Sequence, residues 1–499
     1  MKKLLIILLL TFSTGYFSFA SFDFNENCKN AYEKIISLRF DEGQALLKTE
    51  KTTNPSNLIP YYLENYIDFL KIIISEEQPL FNSLKPNKDI RISKIEESED
   101  KSPYLNYCLA EINLQWAFAR MKFKEYITAA GEINSAYKLL KENEEKYPDF
   151  IANLKGLGIL HALIGTIPDD YKWVARLIGV TGTINQGVNE LSSVLATAFK
   201  NPEYEYLKTE SVFFLTFIQL NLQSNKDEAL NLSKYLENQN FETLAKTNPL
   251  LIYAGASIAM RTGLNDKAIE ILLSRPAGKE YYHFYYLDYL TGIAKLNRLD
   301  YDSYKYLYSF LLNFKGQNYI KAAYQKIAWY YLINNNINKY KEKMSHALTL
   351  GNSFVDEDKQ AQSDAKSSTV PNIKLLKARL LFDGGYYQKA LDLLIEKNPS
   401  DFCVSTKDYL EYTYRLGRIY DEWGSDTEAV PFYELTIKNG SAFTFYFAAN
   451  SALHLGLIYE NLGNKEKAIY YYELGTEMKN TEYKTSINQK AKAGLNRLQ

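Results

Sequence analysis

Three glycines with spacing that could serve phosphate chemistry lie in the stretch 165–191, "GTIPDDYKWVARLIGVTGTINQGVNEL". Glycine-rich turns that open onto helices can hold phosphate groups, because their backbone N–H groups point at the anion. Such loops follow a strand and have the spacing GxGxxG or GxxxxGK[ST]. Gly179, Gly182 and Gly187 instead have the spacing GxxGxxxxG, with no strand pattern before them and no lysine after them. We therefore predict a structural role: a helix start at Pro168, a helix cap at Gly179 and a close helix crossing near Gly187.

Histidines, cysteines and acidic pairs are the other residues that could carry catalysis or bind a metal, and they are scattered. The chain has four histidines and three cysteines, none near another of its kind: His161, His283, His346, His454, Cys28, Cys108 and Cys403. This spacing argues against a zinc site, a histidine-centred active site and a disulfide framework. No GxSxG, HExxH or CxxC motif occurs, and acidic pairs such as Asp421-Glu422 are typical of helix surfaces. We therefore expect a protein that is not an enzyme and that binds no metal and no cofactor.

The charge balance gives no electrostatic reason to expect nucleic acid or an anionic membrane as the main partner. The 499 residues include 58 basic and 59 acidic side chains, so the formal net charge is −1. A protein that binds nucleic acid chiefly through phosphates would be expected to carry a marked basic excess. We expect a protein or peptide partner instead.

The first twenty residues have the pattern of a secretory signal. Two lysines precede an apolar run over residues 4–12, and small residues at positions 18 and 20 mark a cleavage site. We expect cleavage after Ala20 and export across the inner membrane to the periplasm, the outer membrane or the medium. An uncleaved N-terminal anchor is the alternative. No later window is apolar enough to span a bilayer, so we expect no integral membrane span after cleavage.

The elements that position any site are predicted to be helices, because apolar residues recur at three- and four-residue spacing and alternating strand patterns are almost absent. Three C-terminal segments align without gaps: "LKARLLFDGGYYQKALDLL", "YRLGRIYDEWGSDTEAVPFYE" and "LHLGLIYENLGNKEKAIYYYE". Each has a small residue, a turn glycine and an alanine at a repeat of 39 residues: Ala378, Gly385 and Ala390, Gly417, Gly424 and Ala429, and Gly456, Gly463 and Ala468. Small residues let two helices cross closely, and glycine permits the turn between them. Each segment therefore predicts a helical hairpin.

This arrangement closely resembles the tetratricopeptide repeat. The same template fits upstream at a spacing of 36 residues, with tyrosine replacing the second small residue in two hairpins: Ala256, Gly263 and Ala268, Gly292 with Tyr304, and Ala328 with Tyr340. Ala31 and Gly43 indicate one more hairpin near the N-terminus. The resemblance implies a superhelix, or α-solenoid, whose first helices line a concave face that holds an extended peptide or a partner helix.

The repeats and the polar stretches between them divide the chain into five predicted parts. These are a signal peptide at 1–20, an N-terminal helical repeat region at 21–245 that includes a glycine- and proline-marked segment at 156–191, central repeats at 248–350, an exposed polar linker at 351–370 and C-terminal repeats at 371–499.

The stretch 158–191 also resembles a signature of the tetratricopeptide repeat protein 39 family, which includes fungal relatives described as mitochondrial outer-membrane or inclusion-body clearance proteins. The matching positions are Gly158, Pro168, Gly179, Gly182, Gly187 and Leu191. Two positions depart from the pattern, since Gly165 stands where the family usually has serine and Val180 where it usually has phenylalanine. The resemblance implies an all-helical repeat fold with no known catalysis, here in a bacterial exported relative. The cellular roles of the eukaryotic members are not carried over.

Positions on the first helices are the candidates for peptide binding, because tetratricopeptide proteins that bind peptides use equivalent positions. In this chain those positions hold Asn372, Arg379, Phe382, Tyr414, Arg418, Asp421 and Asn450. Arg379 and Arg418 occupy equivalent places in neighbouring repeats and could hold a carboxylate or a peptide backbone. The alternative is that they are ordinary surface arginines.

The sequence leaves three functions open. The first is an exported, non-catalytic scaffold that binds another protein. The second is a protein that binds or processes glycans through its 42 tyrosines, many of them clustered as in "KEYYHFYYLDYL" at 279–290. Tyrosines at helical spacing are more typical of packing between helices, which favours the first function. The third is a membrane-surface assembly factor retained by an uncleaved N-terminus.

Overall fold

The computed structural model describes residues 21–166, 179–223, 226–237, 245–367, 369–395, 402, 404–480 and 482–498. These residues form helices and turns and contain no β-strand, so the prediction of an all-α fold is confirmed. The signal peptide, Pro168 and Cys403 lie outside the described residues. No helix among the described residues combines the length and the apolar character needed to cross a membrane.

The chain divides into two compact units: the first is Met1–Ile73, Gln78–Ile218 and Ala277–Tyr282, and the second is Ile74–Glu77, Gln219–Pro276 and His283–Gln499. The α-helices up to residue 218 are Glu26–Ile36, Phe40–Thr53, Ile59–Ser75, Gln78–Leu84, Pro86–Glu96, Pro103–Lys122, Tyr126–Lys146, Asn153–Gly165, Ile184–Lys200 and Lys208–Ile218, with a 3-10 helix at Pro202–Leu207. After a π-helical turn at Gln219–Gln223, the α-helices are Lys226–Glu237, Pro249–Arg261, Asn265–Leu273, Tyr286–Asn297, Ser303–Asn313, Ile320–Ile333, Ile337–Thr349, Asp356–Ser367, Ile373–Asp383, Tyr387–Ile395, Thr406–Glu422, Asp426–Gly440, Phe447–Asn461, Lys465–Glu477 and Lys484–Leu498.

The hairpin turns of the second unit share one backbone conformation. The predicted turn glycines have positive φ, from 73° at Gly463 to 78° at Gly424. The two hairpins that lack a turn glycine have Leu299 (φ 65°) and Asn335 (φ 61°) at the equivalent position. The repeat therefore requires the left-handed conformation at this position whichever residue occupies it. Leu299 and Asn335 adopt it against a steric penalty that glycine does not have.

The same turn occurs in the first unit. Leu38 (φ 60°) lies between Glu26–Ile36 and Phe40–Thr53, which confirms the predicted N-terminal hairpin. Lys124 (φ 65°) joins Pro103–Lys122 to Tyr126–Lys146 in a further hairpin of this type. We did not predict that hairpin, although Ala117 and Ala129 occupy the two small positions of the template.

We expect the substitution Gly424→Ala to lower the free energy of unfolding by about 1 kcal/mol, because alanine is strained at positive φ. The loss would be purely conformational, since no atom lies within 4 Å of a Cβ built at Gly424. Asn335→Ala is the matched control, because Asn335 already carries a Cβ in this conformation. Urea denaturation should show a smaller change for Asn335→Ala; equal losses would contradict the explanation.

Each C-terminal hairpin packs one side chain of its second helix into the small position of its first helix. A Cβ at Gly417 would lie 2.7 Å from Cδ1 of Tyr433, and a Cβ at Gly456 would lie 2.5 Å from Cδ1 of Tyr472. Both tyrosines are fully buried. Glycine is therefore required because the tyrosine ring lies directly against the first helix. In the hairpin of Ala378, the equivalent of these tyrosines is Leu394, and both residues are fully buried.

The segment 351–370, which we expected to be an exposed linker, contains the helix Asp356–Ser367. Asp358 on that helix is fully buried and accepts hydrogen bonds from the backbone N of Tyr319 (2.6 Å) and of Ala322 (2.9 Å). These N–H groups belong to the first turn of Ile320–Ile333 and its N-cap, where no intrahelical acceptor exists. The polar composition was misleading because one of its acids caps a neighbouring helix.

The glycines of the stretch 165–191 bring two helices of the first unit together. A Cβ at Gly187 would lie 2.2 Å from the carbonyl oxygen of Gly158, so Asn153–Gly165 and Ile184–Lys200 touch backbone to backbone. This confirms the predicted close crossing near Gly187. Gly179 has φ 78°, a conformation typical of a helix cap, but the helix predicted before it lies outside the described residues.

A buried charge cluster lies in the core of the first unit. Nζ of Lys155 is 2.7 Å from Glu111 and 2.8 Å from Glu210, and the exposed fractions of the three side chains are 0%, 4% and 5%. Tyr32 donates a hydrogen bond to Glu210. Burial raises the pKa of Glu111 to about 7, although Lys155 opposes this. One cation is thus shared by two carboxyl groups that are removed from water.

Candidate binding cleft

A cleft of the second unit is lined by first helices of successive hairpins. The helices Ile320–Ile333, Ile373–Asp383, Thr406–Glu422 and Phe447–Asn461 contribute Trp329, Arg379, Lys407, Asp408, Glu411 and Phe447. Asp356–Ser367 forms another wall, and Tyr446 and Tyr483 contribute aromatic rings. The space inside that can take the centre of a water-sized group is about 90 Å³, and the cleft is open to solvent.

Arg379 lies in this cleft with its hydrogen-bonding groups available. Its guanidinium carbon is 4.9 Å from the ring centroid of Trp329, and its Nε is 3.8 Å from Oδ2 of Asp383, beyond hydrogen-bonding range. Among the described residues, Arg379 makes no hydrogen bond. Because 30% of its side chain is exposed, its N–H groups can be reached from solvent. Nζ of Lys326 also lies over the Trp329 ring, at 3.6 Å from the centroid, and burial together with Arg379 lowers the pKa of Lys326 to about 7.

Four carboxylates line the cleft walls together with the cations of Arg379 and Lys407: Asp364, Asp408, Glu411 and Glu482. Glu411 pairs with Arg415 at 3.1 Å. Asp364 accepts hydrogen bonds from Gln325 and Gln360, which are neutral. In the described part of the chain, no cationic group lies within 4.0 Å of the carboxylates of Asp364, Asp408 or Glu482. With Glu411 neutralised by Arg415, three carboxylates remain against two cations among the lining residues, which is a small excess of negative charge.

Four of the seven predicted site residues contact one another and form a network between repeats. Arg418 lies over Phe382 at 5.1 Å and donates a hydrogen bond to the hydroxyl of Tyr414 (3.2 Å). Asn450 donates to the same hydroxyl at 2.6 Å, and Arg418 also donates to Glu422 at 3.0 Å. These side chains join three successive first helices, so much of their hydrogen-bonding capacity is used within the protein.

Two further predicted residues have structural partners. Asn372 is the N-cap of Ile373–Asp383 and accepts hydrogen bonds from the first turn of that helix. Asp421 accepts a hydrogen bond from the hydroxyl of Tyr433 (2.7 Å) and contacts Nδ1 of His454 (2.8 Å). The equivalent acid of the next repeat, Glu460, accepts from Tyr472. In the hairpin of Leu394, which has no hydroxyl to donate, Phe382 replaces the acid.

Of the seven predicted residues, Arg379 lines the cleft, and its main companions there were missed. Trp329 directly follows the small residue Ala328, just as Arg379 directly follows Ala378. Alignment of the small positions could therefore have identified Trp329 as the equivalent of Arg379. Asp364 and Glu482 lie outside the hairpin helices of the repeats, and no repeat position marks them. The binding role of all seven residues stays a prediction.

We expect the pair of His454 and Asp421 to make stability depend on pH. Burial and the charge of Arg418 lower the pKa of His454 below its ordinary value of 6.5, so the folded protein takes up this proton less readily than the unfolded chain. The contribution is present above about pH 6.5 and is lost as the pH falls. Urea denaturation across this range should show a weaker loss on acidification for His454→Gln than for the wild type. An unchanged profile would contradict the assignment.

Comparison with known proteins gives a match to a repeat family and distant similarity to solved structures. The family model described as "Tetratricopeptide repeat" matches residues 449–482, which include the hairpin from Phe447–Asn461 to Lys465–Glu477. The solved structure titled "Crystal Structure of the Yeast Tom70" is similar over 94% of this chain and 88% of that chain, with 11% sequence identity and a TM-score of 0.24. No curated protein matches. The fold is a tetratricopeptide-type array of helical hairpins.

Proposed function

We propose that this chain is an exported, non-catalytic scaffold that holds an extended segment of a partner protein in the cleft of its second unit. The observation that carries the proposal is the cleft itself, in which Arg379 offers hydrogen-bond donors without an internal acceptor. We also propose, from the signature at 158–191, a distant relation to the tetratricopeptide repeat protein 39 family. The export step rests on the signal pattern of residues 1–20.

We expect an extended peptide rather than a helix in this cleft. The backbone N–H and C=O groups of an extended peptide need hydrogen-bond partners, whereas those of a helix bond to one another. The guanidinium group of Arg379 can donate to a backbone carbonyl, and the contact with Trp329 restricts its position. The side chain is thus partly ordered before binding, which reduces the entropy lost when a ligand is held.

The test is binding by the purified mature chain. Peptides selected from a displayed random library should bind the wild type, and Arg379→Gln should weaken that binding by about tenfold or more in fluorescence anisotropy. Lys438→Gln is the matched control, because Lys438 is exposed on the second helix Asp426–Gly440, away from the cleft. Circular dichroism should confirm that both variants fold. If no selected peptide responds to Arg379→Gln, the proposal is wrong.

Glycan binding is less well supported by the packing of the tyrosines. Tyr289, in the cluster 279–290, is buried against Phe310 (5.3 Å) and Tyr319 (5.2 Å). The ring of Trp329, on which a sugar could stack, already lies against the guanidinium group of Arg379 and Nζ of Lys326. N-terminal sequencing of the mature protein tests the remaining alternative, a membrane-surface assembly factor retained by an uncleaved N-terminus.

A further inference from the structure

We infer that the segment held in this cleft is basic: a stretch of extended peptide whose lysine or arginine side chains pair with the carboxylates of the cleft walls. The inference rests on the proposed function and adds the chemistry of the partner. It is carried by the acids that have no cation of their own.

Three carboxylates of the cleft walls have no partner cation among the described residues. Asp364, Asp408 and Glu482 line the cleft on three different segments, and no described cation pairs with any of them. Burial and the charge of Glu411 raise the pKa of Asp408, although a hydrogen bond from Ser405 and the charge of the neighbouring Lys407 oppose the shift. A carboxylate in such surroundings gains when a cation arrives, because the cation relieves repulsion and replaces lost hydration.

The two cations that line the cleft do not pair with these carboxylates. Arg379 is held near Asp383 and Trp329 and does not reach the acids of the walls within ion-pair distance. Lys407 lies over the ring of Phe445 at 5.5 Å and makes no ion pair with a described residue. Arg379 therefore remains available for a backbone carbonyl of the peptide. An acidic peptide would meet three unpaired carboxylates against two cations and would be repelled.

Aromatic rings line the cleft beside these carboxylates. The rings of Tyr446 and Tyr483 lie 5.1 Å apart at 74°, and both line the cleft with Tyr340. Lysine and arginine have long apolar stems, and such stems pack on aromatic rings while the charged end reaches an acid. Aromatic surface beside unpaired carboxylates thus matches both parts of a basic side chain.

The test uses two fluorescein-labelled peptides, Gly-Lys-Ala-Lys-Ala-Lys-Gly and the same peptide with glutamate in place of lysine. We expect the wild-type protein to bind the lysine peptide at least about tenfold more tightly, with the difference shrinking as salt is added. The double variant Asp408→Asn with Glu482→Gln should lose most of this preference. The control is Glu466→Gln with Glu473→Gln, which removes the same charge from exposed positions on Lys465–Glu477.

The outcomes separate this inference from the proposed function. If the two peptides bind equally, or the glutamate peptide binds better, the inference is wrong, whereas the scaffold function stands as long as Arg379→Gln weakens binding. If neither designed peptide binds, the library peptides that depend on Arg379 decide: a lysine- or arginine-rich consensus supports the inference, and any other consensus overturns it. If no peptide depends on Arg379, both proposals fail.

Discussion

Replacing Lys155 with methionine is expected to lower the free energy of unfolding by about 3–5 kcal/mol. Lys155 is fully buried between Glu111 and Glu210, at 2.7 and 2.8 Å. Methionine fills a similar volume but leaves two carboxyl groups without their shared cation in a place that water does not reach. Chemical denaturation at neutral pH, followed by circular dichroism, measures the loss.

The control for this prediction removes the charges together. Lys155→Met combined with Glu111→Gln and Glu210→Gln should recover most of the stability, since no unpaired charge remains. The pH dependence gives a second check. The pKa of Glu111 is raised from 4.5 to about 7, so the folded protein retains a proton that the unfolded chain has lost, and stability falls as the pH rises through that range. In Lys155→Met the fall should continue to higher pH; a flat profile would contradict the account.

Substitution of Gly417 by alanine is expected to cost about 1–3 kcal/mol, because the added methyl group would overlap the ring of Tyr433. Tyr433→Leu alone should also destabilise the protein, since it removes a buried ring and its hydrogen bond to Asp421. In the double variant, leucine makes room for the methyl group. The double variant should therefore be more stable than the sum of the two single losses implies.

A double-mutant cycle measures this coupling, and the chain provides its own precedent. The hairpin with Ala378 and Leu394 has the pairing that the double variant would create. The coupling between positions 417 and 433 is expected to be at least about 1 kcal/mol. Purely additive losses would show that the glycine is not required by the ring.

The repeats could be predicted from the sequence because the residues that define a hairpin are local and recur. Gly417, Gly424 and Ala429 stand at fixed offsets within one hairpin, and the next repeat has the same offsets. The cleft could not be predicted in the same way. Arg379 meets Trp329 across hairpins separated by the segment 351–370, and the offset between the two residues is not that of the regular repeat.

The sequence also gave no signal for contacts that depend on distant segments. Lys155 reaches Glu210 across 55 positions, and neither residue differs in its local pattern from a solvent-exposed charge. Arg418 was a reasonable candidate for ligand binding by position, yet its partners Phe382 and Tyr414 belong to the repeats themselves. Position within a repeat indicates which side a residue faces, whereas packing between repeats decides whether its polar groups remain free.

The carboxylate of Asp358 has a consequence for how the second unit can be divided. It caps a helix that begins more than thirty residues earlier in the chain. Ala322, whose backbone N–H donates to this carboxylate, precedes Asp358 by 36 positions. During synthesis, the start of Ile320–Ile333 lacks this acceptor until the later helix has emerged and docked. A fragment that ends near residue 350 would carry the central hairpins without their cap, although it contains every residue of their repeats. A cut near residue 350 would therefore remove a contact that stabilises the central hairpins, and boundaries drawn from repeat periodicity alone would separate Asp358 from the helix that it caps.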